Sequence, residues 1–508
     1  MDYIVRGGFV LTMQGRADTD GIIKDGAVYV SGKDIIEVGP YQGLKAQYPT
    51  ATVIGSGRFW VMPGFVNAHQ HGKGMTSFQL GALDEPLELT RVQPAPQAKI
   101  PPYLDTLYAA QRMIEAGVTT CLHYNSSRGP ALYERDVRDR MKAYREAGIR
   151  VSFGLDIRDR NHVVYGDEEF LATLPGALKE RAREKLTQPR TADAKDYFRL
   201  VEGLTDELTS DADGRMRIFL TPAGPQWCTE DLLQSVRRIA DERWLGIQIH
   251  VLETKYQRAY FYRTYGKSAV EWLDELGFLS PQVSLAHGVW LSQLDIEIVA
   301  GRESAVVHNP SSNLRLKSGI APLPRLHSAG VRLALGLDSS TLNDDMDMLQ
   351  EMRLSANLQR VPGVSSATVP LEQFFRMATI NGSDVLGWGK ISGALEPGKR
   401  ADLVLLDSRA LTHPYLSLQQ NPIQALLYRG RASDVDTVMV DGEILYRGKK
   451  HLRLDSKGLA KRLKTSIEPA AEDGGKSLEA ELLPYAIRYY QAWDDGSLVP
   501  HHHVVNSI

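Results

Sequence analysis

Eight short apolar runs separated by helix-length segments constrain this chain more than any other feature. They read "WVMPGFVNAH", "GVTTCLHY", "IRVSFGLD", "MRIFLTP", "GIQIHV", "VSLAH", "SAVVHNP" and "VRLALGLD". Between them lie amphipathic patterns such as "YLDTLYAAQRMIEAG", "EDLLQSVRRIADER" and "GKSAVEWLDELGF". Runs that stay apolar rather than alternating are strands buried on both faces, and strands that alternate with helices form a parallel sheet. Eight such units close on themselves, so the spacing predicts an α/β fold: a (β/α)8 TIM-like barrel over residues 61–393.

Outside that stretch the rhythm changes. Residues 1–60 carry glycine-broken β-rich runs, "YIVRGGFVLTM" and "GAVYVSGKDIIEVGP", which suggest a small antiparallel sheet, and the same character returns at 394–450 in "GALEPGKRADLVLLD" and "VDTVMVDGEILYRG". The simplest topology is a small β-sandwich domain built from both chain ends, followed by a partly helical extension over 451–508. A chain of 508 residues exceeds what a single hydrophobic core fills, which agrees with more than one unit. The formal net charge of −3 points to neither nucleic acid nor an anionic membrane, so a small molecule is the expected partner. The basic run "RGKKHLRLDSKGLAKRLK" reads as a solvated helix face. The 2 cysteines, Cys121 and Cys228, lie far apart among apolar neighbours and make no disulfide framework. An N-terminus with an acidic second residue and no long apolar core is neither a signal peptide nor a membrane span, so a cytoplasmic protein is expected.

The polar residues that close the apolar runs carry the chemistry. In "PGFVNAHQH", His69 and His71 are two apart, so in a continuing strand both imidazoles point to one face and can grip one ion. Taken alone, such a pair is more often part of a loop. His250 ends "GIQIH", His287 ends "VSLAH" and Asp338 ends "LALGLD", each at the C-terminal end of its own strand, where barrel active sites are built. Three histidines and an aspartate with one open position suit catalytic zinc or iron. Glu253, in "HVLET", is placed to overhang the metal without binding it and to carry protons, although a helix-start glutamate would look the same. His308 and Asn313 in "HNPSSN" end the seventh run and either touch substrate or brace the loop. His123, ending "GVTTCLH", has the same two readings, while Gln226, Trp227 and Arg91 are weaker pocket candidates. The "HHH" at 501–503 reads as a solvated tail, because three adjacent residues do not face one ion.

"PGFVNAHQH", "HVLET", "SLAHG", "HNPSSNLRLKSGIAP", "LGLDSS" and "ATINGSDVLG" followed by "GALEPGKRADLVLLD" resemble the amidohydrolase superfamily over roughly residues 1–450. More closely they are similar to the branch with guanine deaminase, S-adenosylhomocysteine deaminase, and the chlorotriazine and hydroxyatrazine hydrolases. The resemblance implies metal ligands at His69, His71, His250 and Asp338, with Asp338 also taking a proton from water. It implies a proton shuttle at Glu253 and a substrate-polarising histidine at His287. "MRIFLTP" offers no lysine, so a single divalent ion is implied, zinc first and iron second, rather than a bridged pair. Relatives of this kind are often dimers or larger, so a homo-oligomer is expected.

The expected function is hydrolysis of a carbon–nitrogen bond by metal-activated water, with deamination of an N-heterocyclic small molecule first. An amide, urea or carbamate hydrolase releasing an amine is the alternative within the same site. A non-catalytic metal- or ligand-binding relative is the alternative from another class. The stretch "GKGMTSFQLGALDEPLELTRVQPAPQAKIPPY" spells no recognisable purine site, so the substrate stays open, and no GxGxxG or P-loop run offers a nucleotide site.

Overall fold

The computed structural model describes residues 1–14, 21–90, 92–93, 98–126, 129–186, 191–339, 341–360, 364, 369–417, 419–469, 477–494 and 496. Its first strands are β1 (Asp2–Leu11), β2 (Ile22–Ser31), β3 (Asp34–Pro40) and β4 (Thr52–Pro63). After Gly64 the chain enters β5 (Phe65–Asn67), makes the short β6 (Ala98–Lys99), and then alternates with helices through the remaining barrel strands. These are β7 (Val118–Tyr124), β8 (Arg150–Ile157), β9 (Met216–Pro222), β10 (Gly246–Val251), β11 (Val283–His287), β12 (Ala305–His308) and β13 (Arg332–Leu335). The chain then returns to the first sheet with β14 (Leu403–Asp407), β15 (Val435–Val440), β16 (Glu443–Arg447) and β17 (Lys450–His451), and β18 (Glu468–Pro469) pairs with β6.

All eight apolar runs contribute to the parallel sheet, in the order β13-β12-β11-β10-β9-β8-β7-β5. Every residue of β7, β11 and β12 is buried, as double-sided burial requires. The two ends of the sheet meet: the Ala68 N–H donates to the Leu335 carbonyl (2.9 Å) and the Asp338 N–H to the His69 carbonyl (2.8 Å). Inside, Val66, Leu122, Phe219, Val307 and Ala334 pack with Leu386 and Trp388. Those last two follow the helix Ile380–Val385, so the chain leaving the barrel also supplies side chains to its inner core.

The other sheet runs β17-β16-β15-β14-β4-β1-β2-β3 and is built from both chain ends. It wraps a core of its own around Val5, Val28, Ile54, Leu403 and Met439. Bonds from Ile35 N to Lys399 O and from Ala401 N to Lys33 O bring β3 back to the segment leading into β14. The expectation of a purely antiparallel sheet needs one correction, because β1 and β4 pair in parallel. The helix Tyr41–Gln47 between β3 and β4 is the crossover that makes this possible, and it aims β4 at the barrel.

A buried ion network joins the two units. Arg150, which opens β8, donates through Nε to Asp402 Oδ2 (2.9 Å) and also bonds Asp441. Arg215 donates from Nε to the other Asp441 oxygen (2.9 Å), and the Asp441 N–H donates to Asp402 (2.8 Å). Burial alone would raise the Asp441 carboxyl, but the two guanidiniums hold it below the usual carboxylate range. Among the described residues no helix is long and apolar enough to cross a membrane, and Cys121 and Cys228 are buried free thiols.

Asp441→Asn leaves Arg150 and Arg215 short of charge in a dry interface, and is expected to destabilise the protein by about 3–5 kcal/mol in thermal or urea unfolding. Because the folded carboxyl titrates below its unfolded value of about 3.9, its contribution is present above that pH and is lost as pH falls through the folded value. Acid unfolding followed by circular dichroism should therefore be less steep in Asp441→Asn than in the parent.

Candidate metal centre and cavity

Six strand-end residues meet at the C-terminal mouth of the barrel. β5 stops at Asn67, so His69 and His71 stand just past the strand rather than in it. The seam to the eighth strand keeps that segment in place, and the two rings lie 5.2 Å apart. The His69 ring is 5.0 Å from that of His250 and 5.5 Å from that of His287. The Asp338 Oδ1 atom lies 3.2 Å from His71 Nε2 and 3.8 Å from His69 Nε2. Two groups have ligand atoms all within 4.8 Å of one another: His69, His71 and His250, and His69, His287 and Asp338. A tetrahedral ion bound at about 2.0–2.1 Å separates its ligands by about 3.4 Å, which these distances bracket.

Hydrogen bonds behind the rings fix which nitrogen faces inward. The Gln248 Nε2 donates to the Ala68 carbonyl (3.1 Å), a group that only accepts, so its Oε1 faces His69 Nδ1 at 2.6 Å. His69 must then carry its hydrogen on Nδ1. His250 donates from Nδ1 to the Ala223 carbonyl (2.9 Å) by the same logic. Both rings turn an unprotonated Nε2 toward the centre, the form that binds a metal. Burial drives the His69 imidazolium down to about 3 and that of His250 well below its ordinary value, so both stay neutral. Among the described residues, the Nε2 atoms of His69 and His287 are buried with no hydrogen-bond partner. Orphaned acceptors grouped this way fit a cation.

The two carboxyls of the centre are pushed apart. Burial would raise Asp338, but the contact with His71 holds it well below the carboxylate range. Ser312 Oγ and the Ser339 N–H each donate to it at 2.6 Å. Glu253 is raised, first by burial and then by the charge of Asp338. Its Oε2 lies 3.6 Å from His287 Nε2, and Ser318 donates to Oε1 at 3.3 Å. Environments that separate two carboxyls suit one to accept protons and the other to give them. His287 and Asp338 take left-handed backbone angles (φ 75° and 54°), a strained conformation found where a strand end aims its side chain at a site.

A cavity of about 420 Å³ opens onto His71, His250, Glu253, His287 and Asp338. The other candidates fall elsewhere. Asn313 sits behind the site and accepts from His287 Nδ1 (2.9 Å). His308 is buried at the end of β12, away from the cavity lining, and burial lowers it to about 3. His123 stacks on Phe153 at 4.5 Å and contacts the Tyr144 hydroxyl at 3.0 Å, under the turn at Gly72. Gln226 is buried and does not line the cavity, whereas its neighbour Trp227 does. Arg91 and the "HHH" at 501–503 lie outside the described residues.

Sequence reasoning missed several participants. Gln248 stands two residues before His250, on the same strand face, and a polar residue inside "GIQIHV" is its signal. Asp156, ending "VSFGLD", lines the cavity and follows the same strand-end rule as Asp338. Tyr124 lines it too, its ring 4.5 Å from that of His250 and its hydroxyl donating to the Thr221 and Pro222 carbonyls. The Ala223 carbonyl has no sequence signal at all.

Residues 60–445 match the amidohydrolase family. A 5'-deoxyadenosine deaminase of Methanothermobacter thermautotrophicus is 34% identical over 435 residues, 84% of this chain and 90% of that one. A 5-methylthioadenosine/S-adenosylhomocysteine deaminase of Pelotomaculum thermopropionicum is 32% identical over 460 residues, 89% of this chain and 95% of that one. Among solved structures, an adenosine deaminase from Xanthomonas campestris with bound zinc superposes with a TM-score of 0.74 at 24% identity, covering 91% of this chain and 97% of that chain. An atrazine chlorohydrolase from Arthrobacter aurescens TC1 in complex with zinc reaches 0.75 at 20% identity, with 91% and 99% covered. Relatives above 30% identity that match over most of their length, and a family match spanning both the barrel and the strands around it, make this chain a member of the amidohydrolase family.

Proposed function

We propose that this protein is a metal-dependent hydrolase that deaminates the purine ring of an adenine nucleoside altered at its 5' position. The observation that carries the reading is the set of inward-facing imidazoles around Asp338, with a raised carboxyl, Glu253, beside it. The 5'-deoxyadenosine and S-adenosylhomocysteine deaminases it resembles support the substrate class.

His69, His71 and His250 would hold the ion, with Asp338 against it, and an all-nitrogen set plus one carboxylate suits zinc. A divalent ion in that position brings the pKa of bound water toward about 7 and stabilises developing negative charge. Asp338, kept ionised by its neighbours, accepts a proton from the attacking water. Glu253, kept protonated more easily by burial, gives its proton to the ring nitrogen next to the carbon under attack. The water oxygen adds to that carbon, and a tetrahedral centre forms. His287, whose Nδ1–H donates to Asn313, turns an unprotonated Nε2 between Glu253 and Asp338, where it accepts a hydrogen bond from the attacking water and orients it. The proton that Asp338 took from the water passes to the amino group, the carbon–nitrogen bond breaks to release ammonia, and the added hydroxyl returns a proton to Glu253, leaving a carbonyl on the ring.

Chelation is expected to abolish turnover and added zinc or iron to restore it; full activity in metal-free protein would overturn the reading. Glu253→Gln should keep the metal and lose about 10²–10⁴-fold in kcat. With adenine nucleosides the product assay should find ammonia and an intact sugar. Release of an alkyl or aryl amine from ureas or carbamates, with adenine nucleosides inert, would instead assign the acyclic alternative. Gln248→Leu removes the acceptor that fixes the His69 tautomer and should weaken zinc binding about 10–100-fold in a competition titration.

A further inference from the structure

The helix Leu478–Gln491 belongs to the C-terminal extension, far in sequence from the metal centre. Two consecutive tyrosines on it nevertheless hold the loop that follows β8. The Tyr489 hydroxyl donates to the Tyr165 carbonyl (2.9 Å), and the Tyr490 hydroxyl accepts from the Tyr165 N–H (3.0 Å). Both polar groups of one buried, irregular residue are therefore satisfied by the extension. The fit is close: a Cβ at the next residue, Gly166 (φ 90°), would lie 2.9 Å from the Tyr489 hydroxyl. Ring contacts lock the helix down, with Tyr165 and Tyr490 edge to face at 5.7 Å and Tyr490 and Trp493 at 5.4 Å.

From Tyr165 the contacts run inward. The Tyr165 hydroxyl donates to Glu88 Oε1 (3.2 Å), and the Thr254 hydroxyl donates to the same oxygen. Thr254 adjoins Glu253 and caps the next helix by accepting from the Gln257 N–H (3.3 Å). Glu88 is 4% exposed, and its second oxygen has no hydrogen-bond partner among the described residues. A carboxyl in so dry a place is costly, and nothing in the metal centre itself requires it. What it does is tie three pieces of the cavity wall together. Leu87 lines the cavity from the turn that carries Glu88, Arg158 lines it from the loop after β8, and Glu253 lines it beside Thr254.

We propose that the C-terminal helix is a working part of the active site, with Tyr489, Tyr490 and Glu88 as positioning residues that hold Thr254 and, through it, the Glu253 carboxyl in place for proton transfer. This rests on the reading of Glu253 as the proton carrier. Without the tyrosine hydroxyls, the Tyr165 peptide turns to water for partners, and the Glu88 contact that it supports loosens. The main contacts of the helix fall on the turn Leu87–Leu89 and the helix Gly176–Leu186, neither of which carries a candidate metal ligand, so the ligands are expected to stay where they are.

The test uses the full chain loaded with zinc. In Tyr489→Phe/Tyr490→Phe the rings and their packing remain, and only the hydroxyls go. The expected result is a fall in kcat of about 10-fold or more, with KM changed less than about threefold and zinc content equal to that of the parent. Glu88→Ala should behave alike, and Glu88→Gln, which keeps an acceptor oxygen, should recover most of the loss. Combining Glu88→Ala with the tyrosine pair should cost little more than either alone. Amide hydrogen exchange reads the same link without substrate, so it stays informative if the deaminase reading fails. Faster exchange both in residues 158–166 and in 252–257 supports the proposal. Exchange faster in 158–166 alone overturns it, as does unchanged exchange in both, or an unchanged kcat in the tyrosine variant. If the tyrosine pair fails to fold, Tyr490→Phe alone and the two Glu88 variants carry the same comparison.

Discussion

The seam that closes the barrel is the constraint on which the rest depends. The first and eighth strands meet through Ala68 to Leu335 and His69 to Asp338, so the last backbone bond of the closure joins two residues of the candidate metal centre. Neither side chain can settle until the sheet has curled fully round, and the sheet cannot slip by one residue without parting them. Fold and site are therefore specified by one register. The strained backbone at Asp338 and His287 belongs to the same economy: packed strands below hold a conformation that an isolated loop would relax.

Burial then sets the chemistry. Removing the imidazoles from water keeps His69 and His250 neutral and available as electron-pair donors, while the same burial raises Glu253. Asp338 goes the other way because the His71 ring contacts it, and the Ser312 hydroxyl and the Ser339 amide donate to its ionised form. One dry pocket thereby holds an ionised carboxylate and a carboxyl inclined to keep its proton. At the opposite side of the fold, Arg150 and Arg215 spend buried charge on holding the barrel to the sheet made from the chain ends.

Much of this was legible in the residues, and the exceptions are specific. The apolar runs announced the barrel strands because burial on both faces leaves an unbroken apolar record. His69, His71, His250, His287, Glu253 and Asp338 stood out because each is polar at the point where such a run ends, and the structure brings all six together. The same rule applied to "VSFGLD" would have added Asp156. It also raised His123 and His308, which end their strands in the same way but pack away from the cavity. A strand end tells which mouth a residue occupies, and not whether its side chain turns in or out. The parallel pairing of β1 with β4 was hidden because a β-rich run looks the same in either direction.

By itself the sequence determined the barrel, the sheet drawn from both ends and the polar residues at the barrel mouth, since periodicity and strand position are local properties written in the order of residues. The tertiary structure alone decided the rest: the tautomers set by Gln248 and the Ala223 carbonyl, the opposed shifts of Glu253 and Asp338, and the reach of Tyr489 and Tyr490 into the loop beside the cavity. Each of these depends on hydrogen bonds and burial between segments distant along the chain, whose energies exist only once the distances do.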